Sequence, residues 1–284
     1  MRRTKGMKKK YTIPNVTISI VLLLVGLTMI IPFVWMISTS LKEAKDVFRF
    51  PPQWIPNPVD WDNYIEIWQV IELGRGLLNS AIVTVSVVGI GTGIASMAAF
   101  SFAKLTFPHK NKLFMMLLSS MMIPGVVLLI PQFFIYARIG WIDTLKPLIV
   151  SGLLGTTMMT FFLRQYMAGL PTELIDAAKI DGCNYFGIYA RIFLPLSKTA
   201  IAANVILLFM ATWNDYLAPL VFVHSPKKAT VQVVIASLSS YYSEQTDFPV
   251  VMAASVVAIL PVLILFLTCQ KYFVESFATS GIKG

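Results

Sequence analysis

Uncharged apolar runs of roughly twenty residues recur along this chain, and nothing else in it constrains the fold as much. They cover residues 11–41, 76–103, 113–137, 147–163, 199–223 and 248–270, the fifth interrupted only by Asp215. A bilayer core of about 30 Å takes roughly 20 helical residues, and in lipid each backbone N–H and C=O must be satisfied within its own segment. The expected fold is an all-α integral membrane protein of about six transmembrane helices. Only 13% of the 284 residues are charged, about half the usual share, which removes a soluble domain from consideration.

The net charge of +9 is open to two readings, nucleic-acid binding or membrane sidedness, and its distribution decides between them. The basic residues cluster between the apolar runs and form no single face. Arg2, Arg3, Lys5, Lys8, Lys9 and Lys10 precede the first run like the head of a signal peptide. That run is too long for one, and residues 36–40 offer no small-x-small cleavage site, so it reads as an uncleaved anchor. With this end in the cytoplasm, Lys104, Lys110, Lys112, Arg164, Lys179, Arg191, Lys198, Lys271 and Lys283 fall on the same side. The smaller set, Lys42, Lys45, Arg49, Arg75, Arg138, Lys146, Lys227 and Lys228, falls outside. The bias puts both termini in the cytoplasm, with no nucleic-acid partner. Cys183, Cys269, His109 and His224 stand alone, without metal-type spacing, and Cys183 reads as a small packing residue.

Pro32, Pro124, Pro131, Pro219 and Pro261 lie in or at the ends of the runs. They are either simple kinks or breaks in helices lining a pathway that opens and closes. Gly89 and Gly93 form a G-x-x-x-G, expected where a neighbouring helix approaches closely. Residues 50–68 hold four prolines and several aromatics and read as a surface loop ending in a short helix over 63–70. Residues 229–238 are apolar but too short to span, and should lie at the outer face.

The informative segment lies between the fourth and fifth runs. Pro171 suits a helix's first turn, Glu173 complements its positive end, and Gly182 can take the left-handed conformation that ends it. Asn184 can cap a second helix and Pro195 can stop it. The expectation is a helix, a glycine turn and a second helix between two membrane anchors. A DNA-binding helix-turn-helix is excluded by the anchors and by the acidic and aromatic residues around the turn, leaving a surface connector or a protein-docking hairpin.

Asp176-Ala177-Ala178, then Asp181-Gly182, then Ile192-x-Leu194-Pro195 resembles the EAA loop of binding-protein-dependent ABC importer permeases. Trp213-Asn214-Asp215-Tyr216, Met122-Ile123-Pro124, Ile130-Pro131, Leu260-Pro261, the stretch 270–274 and the C-terminal Ile282-Lys283-Gly284 extend the likeness over nearly the whole chain. The chain is similar to the MalG-like permease subunits of carbohydrate ABC importers, which occupy the bacterial plasma membrane. Asp176 stands where that family has a longer acid, and Ser280-Gly281 where it often has Gly-Ala.

The resemblance implies a permease core over 77–284 with a coupling loop at 164–198, preceded by an N-terminal segment, first helix and outer loop over 1–76. Glu173, Asp176, Ala177, Ala178, Asp181, Gly182, Phe186, Leu194 and Pro195 would contact an ATPase subunit, as would the tail at Ile282, Lys283 and Gly284. The implied partners are a MalF-like second permease, two MalK-like ATPase subunits, an extracellular solute-binding protein, a carbohydrate and membrane lipid. The chain has no G-x-x-x-x-G-K-[ST] loop, so it would bind no cofactor itself, and ATP and Mg would be used by the ATPase subunits. Trp213, Asn214, Asp215 and Tyr216 could meet the sugar, or could equally be interfacial and interhelical residues. A secondary transporter would need ionisable groups at mid-membrane depth, where the runs have almost none. An intramembrane enzyme would need a nucleophile and base or a metal set, and none stands out.

Overall fold

The computed structural model describes the backbone of residues 13–241 and 247–280, and side chains over 17–238 and 247–270. The described residues are helical throughout, without strands. Four continuous stretches are long and apolar enough to cross a bilayer, and two bent helix pairs, counted as one crossing each, bring the number to six.

The first crossing is α1 (Ile13–Thr39), which accommodates Pro32 without a break. A short helix, α2 (Asp62–Val70), follows the Pro- and Trp-rich loop, matching the helix expected over 63–70. Asn63 fixes it, donating from its side chain to the carbonyls of Ser40 and Lys42. Lys42 is 1% exposed, its ammonium 4.1 Å from the centre of the Trp35 ring and without a hydrogen-bond partner among the described residues. Burial pushes that ammonium below its usual pKa, and the charge of Asp46 opposes the shift.

The longest interior helix is α3 (Leu73–Lys104), against which much of the bundle packs. Among the described residues of this chain nothing approaches Gly89 or Gly93: a Cβ at either position would meet no atom within 4 Å. The close approaches are at Gly91, where a Cβ would lie 2.9 Å from Thr156 Cγ2, and at Gly152, where it would lie 2.6 Å from Val87 Cγ2. The motif spacing is a helix-face rule, and the residue between its glycines happens to face the neighbour.

The third run is not one rod. α4 (Lys110–Ser119) and a 3-10 turn to Met122 meet α5 (Gly125–Arg138) at 96°, with Pro124 at the corner. The fourth crossing, α6 (Lys146–Leu154) and α7 (Thr157–Ala168), runs past Leu163, where its charge-free run ends. Arg164 is tolerated because its guanidinium lies 4.2 Å from the centre of the Phe114 ring and its Nε donates to Phe102 O.

After the hairpin comes α11 (Lys198–Trp213), set at 78° to the helical stretch before it. The fifth run, read as continuous to 223, breaks at residues 214–216 and resumes as α12 (Leu217–Phe222). Asp215 explains the break, its carboxylate accepting from the N–H of Ala218 to start a new helix. α13 (Val231–Tyr241) is the short apolar segment expected not to span, and α14 (Phe248–Ser280) is the last crossing.

Candidate functional site

The connector between α7 and α11 folds as the sequence suggests. α8 (Glu173–Ile180) carries Glu173 and Asp176 in its first turn, and Pro171 sits just ahead of it, outside the helix. Gly182 has φ +76°; Gly182 N–H donates to Lys179 O and Cys183 N–H to Ala178 O, the paired bonds of a left-handed helix stop. Asn184 Oδ1 accepts from Gly187 N–H at 2.7 Å and caps α9 (Tyr185–Ile188). Pro195, expected to end the second helix, sits inside its last turn. A π turn over Tyr189–Phe193 precedes it and leads into α10 (Leu194–Leu196).

The hairpin has two faces. Ile175, Ala178, Ile188, Tyr189 and Phe193 are buried against Ala95, Ala99 and Phe100 of α3 and Leu163 of α7. Cys183 packs at the edge of this cluster, as a small packing residue should. The other face is free: Glu173, Asp176, Ala177, Asp181, Gly182, Phe186 and Pro195 are exposed, and Leu194 is half-buried. Ala178, read as a contact residue, is turned inward and sets how closely α8 lies on the bundle. Ile180 (87% exposed) and Phe186 (67%) stand with Tyr185 around the glycine turn as an apolar tip ringed by acids. Ile180 and Tyr185 were missed in sequence; the signal was there, as apolar residues flanking a glycine in a charged loop.

Lys104, at the end of α3, braces the hairpin's base, donating to Leu170 O at 2.6 Å and lying over the Phe193 ring. Tyr189 Oη lies 2.8 Å from Ser96 Oγ of α3, both buried.

At the opposite end of the bundle Asp143, with φ +61°, clasps the loop after α12. Its carboxylate accepts from the hydroxyl and N–H of Ser225, the N–H of His224 and the ammonium of Lys228. These donors, the Ser225 hydroxyl first, hold its carboxyl far below the usual carboxylate range. Asn79 secures the same loop by donating to Lys227 O and Ala229 O.

The structure separates the four residues at the break after α11. Trp213 is buried, stacked on Phe209, with its Nε1 donating to Ala258 O at 3.1 Å. Asn214 and Tyr216 are exposed, and Asp215 caps α12. Asn214 accepts from Gln232 and lines a cavity of about 440 Å³ between α1, α11, α13 and α14, apolar apart from Asn214, Gln232 and Ser255. Ile282, Lys283 and Gly284 lie outside the described residues, as do the basic residues before position 13.

The model of the binding-protein-dependent transport system inner membrane component family matches residues 89–278. The arabinooligosaccharides transport system permease protein AraQ of Bacillus subtilis (strain 168) is 30% identical over 282 residues, covering 97% of this chain and 98% of that one. A chain of a bacterial ABC transporter involved in import of the acidic polysaccharide alginate superposes with a TM-score of 0.80 at 20% identity, covering 95% of this chain and all of that one. A second chain, from that transporter type in complex with an alginate pentasaccharide-bound periplasmic protein, gives 0.66 at 13% identity, covering 90% and 94%. The last two show likeness of fold. The family match runs from the middle of α3 through the hairpin to the last turns of α14, and this chain is a member of the binding-protein-dependent transport system inner membrane component family.

Proposed function

We propose that this chain is one of two permease subunits of an ATP-driven sugar or oligosaccharide importer in a bacterial plasma membrane, with the hairpin seated on one of two ATPase subunits. The observation that carries this reading is the hairpin itself: a rigid, doubly anchored turn with an exposed apolar tip of Ile180, Tyr185 and Phe186. Exposed apolar side chains outside the lipid-facing spans call for a protein partner. Ala177 allows close approach, and Glu173, Asp176 and Asp181 supply a polar rim of the sort that surrounds a docking core. ATP and Mg belong to the ATPase subunits, and an extracellular binding protein delivers the sugar.

The 96° corner at Pro124 and the 78° bend before α11 are where spans could change their relative angle as the ATPases close. Asn214 and Tyr216, exposed at a helix break, are the polar and aromatic groups offered to a sugar, and Trp213 anchors that break to α14. The hairpin end is cytoplasmic and the Asp143 end faces outward. The tail at 282–284 completes the ATPase contact.

Affinity-tagged chain purified from its native membrane should bring down two ATPase subunits and a second permease. Its ATP hydrolysis should rise when sugar-loaded binding protein is added. Cysteines at Lys9, Lys110, Lys179 and Lys283 should be labelled only from the cytoplasm, and those at Arg49, Lys146 and Lys228 only from outside. Outside labelling at Lys179, or purification without ATPase subunits, would overturn the reading.

A further inference from the structure

The second helix of the hairpin departs from α-helical geometry where it meets α3. Over Tyr189–Phe193 the chain widens into a π turn, and Leu194 N–H donates to Tyr189 O five residues back. Such turns are rare, bond less well than α-helix, and concentrate at functional positions. Pro195 makes this one tolerable, because it has no N–H to give the carbonyl four residues earlier and its ring needs room there.

Tyr189 and Phe193, four apart and so on one side of the helix, both press on Phe100 of α3, with ring centres 5.7 and 5.1 Å away. Beyond the rings, Tyr189 Oη meets Ser96 Oγ at 2.8 Å. The Ser96 hydroxyl also lies 3.1 Å from Gly93 O, an acceptor for its single proton, so both bonds are made together when the tyrosine donates. Ser96 is 1% exposed and Tyr189 8%, and breaking this bond would leave the tyrosine hydroxyl without its partner in an apolar interior.

Packing alone does not ask for this pair, since phenylalanine facing alanine would fill nearly the same space. What the two hydroxyls add is register: one position of the hairpin along α3 sets the Tyr189 hydroxyl on Ser96, and a slide of one residue takes that partner away. We propose that Tyr189 and Ser96 key the hairpin to α3 as positioning residues, so that displacement of the hairpin is delivered to α3 instead of being lost in slippage. This rests on the reading of the hairpin as the ATPase seat.

The test uses the complex with its ATPase subunits reconstituted in lipid, and single spin labels on either side of the joint. One label replaces Arg191 on the hairpin and the other replaces Ile90 on α3, both exposed positions. In the otherwise unaltered complex, trapping with ATP and vanadate should shift both signals. In Tyr189→Phe and in Ser96→Ala the Arg191 signal should still shift and the ATPase subunits should stay bound. The Ile90 shift should fall about three- to tenfold, in keeping with one lost buried hydrogen bond. The double variant should be no worse than either single one, since the two atoms act together. An undiminished Ile90 shift in Tyr189→Phe would overturn the inference. So would an Ile90 label that is silent in the unaltered complex, or multiplying losses in the double variant. Loss of the Arg191 shift together with the ATPase subunits would also overturn it, reducing the pair to part of the hairpin's own folding. A complex that never retains ATPase subunits would instead sink the importer reading, and the joint with it.

Discussion

At the hairpin end, Tyr189 reaches 93 positions back along the chain to Ser96; at the opposite end, Asp143 reaches 82 positions forward to Ser225. The first tie is neutral, buried and backed by aromatic rings. The second is charged and partly open to water, its Lys228 partner 49% exposed. A buried neutral bond resists both salt and pH and holds one geometry, which suits a joint that passes on displacement. A half-exposed carboxylate with several donors can lose one and keep the rest, and salt weakens its ion pair. The two ends of the bundle are therefore expected to fail under different insults.

The hardest break is Gly182→Asp. A Cβ at that position meets nothing within 4 Å of the chain itself, although its φ of +76° strains most side chains. Asp is among the few residues that visit this conformation, so the protein should insert and fold. What it adds is bulk and charge at the apolar tip proposed to seat on an ATPase subunit, and copurification of the ATPase subunits should fall by about tenfold or more, the scale of one hot-spot contact. Normal copurification would make the hairpin a mere connector.

Asp143→Asn should act at the other end alone. Without its charge the group loses the Lys228 pair and must offer donors where the fold supplies donors. The melting temperature in detergent should fall by a few degrees, and the 224–230 loop should become easier to cleave, with ATPase retention unchanged. The fold holds the Asp143 carboxyl below its usual range, so its contribution is complete above the unfolded carboxylate pKa of about 4 and is lost as pH falls toward the lower folded value. Stability should thus show no Asp143 dependence between pH 8 and 5, and should acquire one only in stronger acid. Asp247, whose carboxyl burial pushes up, responds in the opposite sense, gaining as pH falls. Thermal melts of wild type and Asp143→Asn across this range would separate the two.

The smallest expected effect is Lys228→Ala. Its exposed ion pair is worth at most about 1 kcal/mol, and the difference from wild type should shrink in high salt. A large, salt-independent loss would mean that the backbone bond from Lys228 to Asp143 O matters more than the charge.

The spans and the hairpin were legible because they are written locally, in runs of fixed length and in a glycine flanked by capping residues. Gly182, Asn184 and the helix expected over 63–70 could be read for the same reason. The break at Asp215 was not, because an acid after a long apolar run reads equally well as a span edge or as a cap. The close approaches at Gly91 and Gly152, and the partners of Tyr189 and Asp143, depend on residues up to 93 positions away, and no local period encodes them. Trp213 shows the same limit: the motif marked the position, but only packing could reveal a ring turned toward Ala258.

The first crossing described leans mainly on the last, α1 against α14, and none of the membrane window of α1 is buried by the rest of the chain. During synthesis every other described element leaves the ribosome between these two. Helix α1 must therefore settle in lipid and keep its orientation long before its main neighbour within the chain exists. That burden explains a helix apolar on all sides, tied at its later end where Ser38 donates to Trp54 O and, just beyond it, Ser40 meets Tyr64. A helix whose main neighbour in the chain arrives so late must be able to insert unaided, and its fit to the finished bundle is a later demand.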